Sequence, residues 1–181
     1  MTEPEQPRVR VGVVLPSHPD DVAEWLADGG AFETAGADAL WVETAPEAEL
    51  DPLALTAALA AVTYRSLLVT RIDSASLDDG PATPELDRTL ATIARLSRGR
   101  LRVATGSADE LVLSTPDHAG EGEVWLRISS PEHRAAWRES IADAIEQGHH
   151  QVVVEANPRL LDMLRNPDEP DDRRDLYLAQ G

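Results

Sequence analysis

Residues 51–72 read DPLALTAALAAVTYRSLLVTRI, and that stretch decides the fold. Asp51 before Pro52 is a helix start: an Asx side chain to cap the first N–H groups, then proline at the first helical position, where no N–H is needed. Leu55, Leu59 and Val62 follow at helical spacing. Ser66 to Ile72 is an apolar run of strand length. A helix and a strand joined by a few residues form one half of a crossover unit. The same unit recurs on both sides.

Upstream, Arg8 to Leu15 (RVRVGVVL) alternates and then runs apolar, as a strand buried on both faces at its far end does. Pro16-Ser17-His18-Pro19 ends it. Asp20 is placed to cap a helix with Val22, Trp25, Leu26 and Gly29 on one stripe. Gly36 closes that helix, and Ala39 to Val42 forms strand two. Downstream, a polar loop over 73–84 leads to a helix marked by Leu86, Leu90 and Ile93, stopped near Gly99. Leu101 to Ala104 is strand four. The helical phrases DPLALTAALAAVT and TPELDRTLATIARLS echo each other, as successive βα units do. The order β-α-β-α-β-α-β with short connections predicts parallel strands joined by right-handed crossovers.

The pattern then changes. Glu110 to Ser114 (ELVLS) and Glu123 to Ile128 (EVWLRI) both read as strands, with only Thr115 to Gly122 between them. That spacing is too short for a helix and predicts an antiparallel hairpin. Ser130-Pro131 starts another helix, with Trp137, Ile141 and Ile145 on one face. Gln151 to Ala156 is a last strong strand and Pro158 to Arg165 a short helix. The chain thus reads as a polar tail over 1–7, one α/β domain over 8–165 and an acidic tail over 166–181. The four tryptophans, Trp25, Trp41, Trp125 and Trp137, fall at apolar-face positions and read as core.

Composition narrows the chemistry. The 181 residues, 42% hydrophobic and 27% charged, suit one globular domain. Cysteine is absent, which excludes thiol nucleophiles, disulfides and cysteine-held metals. All 16 basic residues are arginine, so Schiff-base chemistry and a phosphate-loop lysine are excluded as well. The net charge of −17, with no basic stripe, argues against nucleic acid and anionic membranes as partners. No apolar run reaches transmembrane length, and the polar N-terminus lacks a leader pattern; a cytoplasmic protein is expected. His149 and His150 are adjacent and would point to opposite faces of a strand, which makes a shared metal ion unfavourable. His118 and His133 stand alone.

Four phrases, in order, resemble the luciferase-like flavin- or deazaflavin-dependent monooxygenase superfamily: RVGVVLP at 10–16, AGADALWVET at 35–44, DPLALTAALAAVTYRSLLVT at 51–70 and TPELDRTLATIARLSRGRLRVATGS at 83–107. A weaker echo, IADAIEQGHHQVVVEANPRLLDMLRNP at 141–167, is similar to the final βα unit of such barrels. The resemblance implies a parallel (β/α) barrel. Full barrels take about 250 residues, so a truncated, TIM-barrel-like form with fewer than eight regular βα units is expected. An open edge must then be sealed by a hairpin or a partner, and the ELVLS/EVWLRI pair is the candidate hairpin. The family is commonly dimeric, which implies a homodimer or pairing with a homologous subunit.

Barrel sites lie at the C-terminal ends of the strands. The resemblance implies reduced flavin (FMN) or a deazaflavin (F420) there, acting with a small-molecule substrate. It places Thr70 and Arg71 where the family supports the flavin ring, with Arg71 also suited to an anion. It places Thr105, Gly106 and Ser107 where the family reads "G-x-G" near the cofactor. The family's Glu-His after strand two is Glu43-Thr44 here, so the histidine is missing; His18, on the same face, is the candidate replacement, and His18 and Glu43 are the catalytic candidates. Glu43 and Glu155 both close strands, and each is placed either to act as acid or base or to pair with Arg71 or Arg102. Three readings remain: a compact oxidoreductase, a non-catalytic barrel relative acting as a binding or partner subunit, and a small-ligand carrier.

Overall fold

A computed structural model of the protein describes residues 8–44, 48–71, 84–116 and 122–167. The elements among the described residues are, in order, β1 (Arg10–Val14), α1 (Val22–Ala35), β2 (Ala39–Val42), α2 (Pro52–Val62), β3 (Leu67–Arg71), α3 (Pro84–Leu96), β4 (Leu101–Gly106), β5 (Glu110–Ser114), β6 (Glu123–Arg127), α4 (Arg134–Glu146), β7 (Gln151–Glu155) and α5 (Pro158–Arg165). The strands close into one barrel in chain order, β7 returning to β1.

The parallel expectation holds for β1 to β4 and for β6, β7 and β1. It fails at β5, which runs antiparallel to both neighbours. The barrel is therefore mixed rather than purely parallel. The hairpin expected from ELVLS and EVWLRI is present. The β4–β5 turn is a second reversal that the sequence pattern did not suggest. The reason is length: only Ser107 to Asp109 separate β4 from β5, and a parallel return needs a dozen or more residues. Reversing β5 lets β6 resume the parallel direction and carry the sheet to β7.

Side chains alternate across the sheet. Val11, Val13, Leu40, Leu68, Val152 and Val154 pack with Trp25, Phe32, Leu55, Leu59 and Leu160 of the helices. On the other face, Val14, Ala39, Trp41, Val69, Ala104, Leu111, Leu113, Trp125 and Val153 form a cluster drawn from strands alone, which is the filled lumen. Trp41 and Trp125 meet edge to face there, ring centroids 6.0 Å apart, a pairing worth about 0.5–1.5 kcal/mol beyond its buried area. Gly12 makes their room. A Cβ at that position would collide with Trp41 Nε1 and lie 3.0 Å from Trp125 Cζ3.

Local signals set the element ends. Asp51 caps α2, its Oδ1 accepting from Leu53 N at 2.7 Å. Gly36, at φ +101°, ends α1 in the left-handed conformation that glycine tolerates. Two starts differ from expectation. Asp21, not Asp20, caps α1. The fourth helix begins at Arg134, capped by the His133 ring, rather than at Ser130-Pro131. The lone His133 is thus a helix cap: its Nδ1 accepts from Ala136 N at 3.0 Å.

The N-terminal end of the barrel is closed by structural contacts. Glu33 of α1 is 8% exposed and its carboxylate gathers the turn before β3, accepting from the backbone N–H groups of Tyr64, Arg65 and Ser66 at 2.7–3.0 Å. Burial pushes this carboxyl up, but the Ser66, Arg65 and Tyr64 amides and nearby Arg100 outweigh it, so Glu33 lies below the usual range. Arg100 binds the same turn, donating to the Ser66 and Thr63 carbonyls at 2.7 Å each. Arg10 pairs with Glu123 at 2.6 Å and lies over the Trp125 ring at 5.1 Å.

No helix among the described residues is long and apolar enough to cross a membrane. The tail over 1–7, most of the tail from 166, the loop over 73–84 apart from Pro84, and His118 lie outside the described residues.

Candidate functional site

The lumen alternation predicts what reaches the barrel's C-terminal mouth. Two residues beyond Trp41 stands Glu43, beyond Val69 Arg71, beyond Trp125 Arg127, and beyond Val153 Glu155. Each therefore lies on the lumen side of its strand end. β6 contributes because it runs parallel to β7, Arg127 standing opposite Val153.

These four side chains meet. The Arg127 fork spans two carboxylates: Nη2 contacts Glu43 Oε1, and Nη1 donates to Glu155 Oε1 at 2.7 Å. Arg71 Nη1 stands 4.0 Å from the same Glu43 oxygen. The side chains of Glu43 and Arg127 are 19% and 20% exposed, while Glu155 is 57% exposed. Burial pushes the Glu155 carboxyl up. Arg127 pulls it down and Glu43 pushes it up again, leaving it above the usual carboxylate range. Paired carboxylates in unequal surroundings are the pattern of acid–base sites.

The expected pairing of a mouth carboxylate with Arg71 is thus found, at Glu43. Arg102 is not part of it, since its Nη1 donates to the Gly99 and Leu101 carbonyls. Sequence reasoning missed Arg127. Its signal was present in EVWLR, where Arg127 follows Trp125 at strand spacing, but the direction of β6 in the barrel was open.

The other candidates fall elsewhere. His18 is exposed, and its Nδ1 lies 3.0 Å from Ser17 Oγ. It lines a hollow of about 450 Å³ with Asp20, Glu49 and Leu50. Thr70 shares its face with Leu68, so it is turned toward the helices, and its buried hydroxyl has no hydrogen-bond partner among the described residues. The register runs unbroken through Thr70 and Arg71 into β4. Thr105 lies on the face of Val103, which packs with α3. Gly106, at φ +118°, and Ser107 form the β4–β5 turn. A Cβ at Gly106 would lie 2.5 Å from the Glu110 carbonyl oxygen, and Ser107 N donates to that oxygen at 3.0 Å. Among the described residues no group of three or more histidine, aspartate or glutamate side chains could hold a metal ion.

The fold is thus a closed seven-stranded α/β barrel with a charged C-terminal mouth. No protein-family model matches the chain, and no curated protein matches it. Several solved structures are similar, two of which illustrate the likeness. A tryptophan synthase from M. tuberculosis aligns over 88% of this chain and 90% of its own, at 16% identity and a TM-score of 0.50. That likeness concerns the fold alone. EDTA monooxygenase from Chelativorans sp. BNC1 aligns over 77% of this chain at 15% identity, with a TM-score of 0.45. The aligned region is 36% of that protein, so this chain spans about a third of its length.

Proposed function

We propose that this chain is a shortened luciferase-like oxidoreductase working at the C-terminal mouth of its barrel, with reduced FMN or a deazaflavin and a small organic substrate. The observation that carries the reading is the mouth quartet: Glu43, Arg71, Arg127 and Glu155 converge from four strand ends, where barrel enzymes of this architecture do their chemistry. The ordered phrases over residues 10–107, which resemble that family, support the reading. In this reading Glu43 orients the two arginines, and His18, with Ser17, serves the outer edge of the site.

The residues fit one end of a flavin. Arg71 is 27% exposed, and its partner among the described residues is Glu43 at 4.0 Å. A partly exposed guanidinium at this end is of the type that clamps a phosphate through paired N–H donors. The ring side does not fit as the resemblance implied. Ser107 N is spent on the β4–β5 turn, Thr70 and Thr105 face the helices, and Trp41 and Trp125 fill the lumen below. A flavin would supply hydride or oxygen chemistry when bound; this chain's own contribution is an anion anchor and two carboxylates.

The filled lumen and the engagement of Arg127 by two carboxylates favour a second reading, a barrel relative that has lost the ring site and serves as a binding or partner subunit, as a homodimer or with a homologous chain. Fluorescence titration with FMN and with deazaflavin separates the two. Saturable binding that weakens in Arg71→Leu supports the oxidoreductase. No binding of either cofactor by the folded protein leaves the second reading, which light scattering with and without a homologous subunit then tests.

A further inference from the structure

We infer that Glu155 occupies the place of a ligand's carboxylate on Arg127, and that the mouth takes a small carboxylate-bearing molecule whose anionic head displaces it. The two ends of the Arg127 fork are held very differently. Nη2 contacts Glu43, whose side chain is 19% exposed and also stands 4.0 Å from Arg71. Nη1 donates to Glu155 Oε1 at 2.7 Å. That side chain is 57% exposed, and among the described residues its carboxylate contacts Arg127 alone. An ion pair with one partner this exposed is weak, because water competes for the carboxylate and a long side chain must be held still. The inner end of the fork is fixed and the outer end is exchangeable.

Backbone and charge allow the exchange. The strand end stays in place when the side chain swings, since Ala156 N donates to the Val14 carbonyl at 2.8 Å and Ser130 Oγ to the Glu155 carbonyl at 3.2 Å. On β1 the residue opposite Glu155 is the uncharged Val14. In formal charge, the two arginines and two glutamates of the quartet cancel. With Glu155 turned to solvent one positive charge is left over, which matches a monoanion better than a dianion. A carboxylate presents the same pair of coplanar oxygens that Arg127 already holds. One layer down, Trp41, Val69 and Trp125 fill the lumen, so the ligand arrives from the solvent side and is held by its head. No covalent bond forms or breaks in this exchange.

The inference rests on the mouth being the working end and names what is bound there. Its test contains no flavin: cofactor binding without carboxylate binding removes this inference alone, and carboxylate binding without cofactor binding removes the oxidoreductase alone. Benzoate and inorganic phosphate are the probes, titrated calorimetrically into the wild type, Glu155→Ala, Arg127→Lys and Asp109→Asn. Asp109 lies exposed in the β4–β5 turn at the same end, so Asp109→Asn removes a neighbouring negative charge without removing a partner of the fork. An exposed pair that is closed about two to five times as often as it is open lowers apparent affinity about three- to sixfold, and Glu155→Ala should recover that factor for benzoate. Arg127→Lys, which keeps the charge and loses the fork, should weaken benzoate binding, and Asp109→Asn should match the wild type. No benzoate binding in any variant, equal affinity in wild type and Glu155→Ala, an equal gain in Asp109→Asn, or binding indifferent to Arg127→Lys overturns the inference. Phosphate binding tighter than benzoate overturns the carboxylate assignment. If Arg127→Lys does not fold, Glu155→Ala against Asp109→Asn decides.

Discussion

Gly12→Ala tests whether the two lumen tryptophans are what fills this barrel. The added Cβ would collide with Trp41 Nε1 and crowd Trp125 Cζ3 at 3.0 Å. Both rings are fully buried, so neither can swing into solvent. Overpacking of this kind costs about 1–3 kcal/mol. Replacing a strand glycine returns about 0.5–1 kcal/mol of chain entropy. The net expectation is a loss of about 1 kcal/mol, or roughly 2–4 °C in melting temperature for a domain of this size. Gly30→Ala is the control. That glycine lies in α1, and a Cβ added there would meet nothing within 4 Å. The helix gains about 0.5–1 kcal/mol from the change. Urea unfolding followed by tryptophan fluorescence reads both. If Gly12→Ala matches or exceeds wild type while Gly30→Ala behaves as expected, the lumen has slack and the reasoning is wrong.

Two further outcomes follow from the opposite end of the barrel and from a helix cap. Glu33→Gln leaves backbone amides of the 64–66 turn short of a charged acceptor and costs about 1–3 kcal/mol. Glu33 has a lowered folded value, so its contribution is present above the unfolded glutamate value and is lost as pH falls through the folded one. Urea midpoints measured from neutral pH downward should therefore decline less steeply in acid for Glu33→Gln; an unchanged slope counts against it. Asp51→Ala removes the acceptor of the Leu53 N–H and costs about 1 kcal/mol, read by thermal melting, with Asp51→Ser close to wild type.

Helix and strand identity was legible wherever one local signal was enough. Asp51-Pro52 and Gly36 act within a turn, and Pro158 to Arg165 is helical as its pattern says. Strand direction was legible only through connection length. It worked for the parallel crossovers and for the ELVLS/EVWLRI hairpin. The three-residue link between β4 and β5 was masked by Thr105-Gly106-Ser107, which resembles a cofactor phrase. Gly106 instead has a positive φ because the chain reverses there. The candidate site was half legible. Strand alternation puts Glu43, Arg71 and Glu155 at the mouth, whereas Arg127 joins them only once the direction of β6 is known. Thr70 shows the complementary error, since proximity in sequence to Arg71 means opposite faces of one strand.

The mouth is hard to explain as a stability device. Drawing ionic groups out of water costs several kcal/mol per ion, and apolar replacements of similar volume often do as well or better. The lumen shows that this sequence can fill space with apolar groups, since Trp41, Val69, Ala104, Leu111 and Trp125 do so one layer down. At the N-terminal end the lumen's ion pair is a single exchange, Arg10 with Glu123, at 32% and 51% exposure, with Arg10 also stacked on Trp125. That pair closes an end at little desolvation cost. The mouth does something more costly. It draws Glu43 and Arg127 to about one-fifth exposure and then attaches to Arg127 a second carboxylate whose proton affinity is raised. Against the Glu33 carboxyl, which adds stability as pH rises, Glu155 takes stability away as pH rises through its raised value, because the folded state holds the proton longer than the unfolded one. Barrel closure alone, which the exposed Arg10–Glu123 pair achieves at the other end, does not account for drawing Glu43 and Arg127 to one-fifth exposure, and this agrees with the proposal that the mouth is the working end.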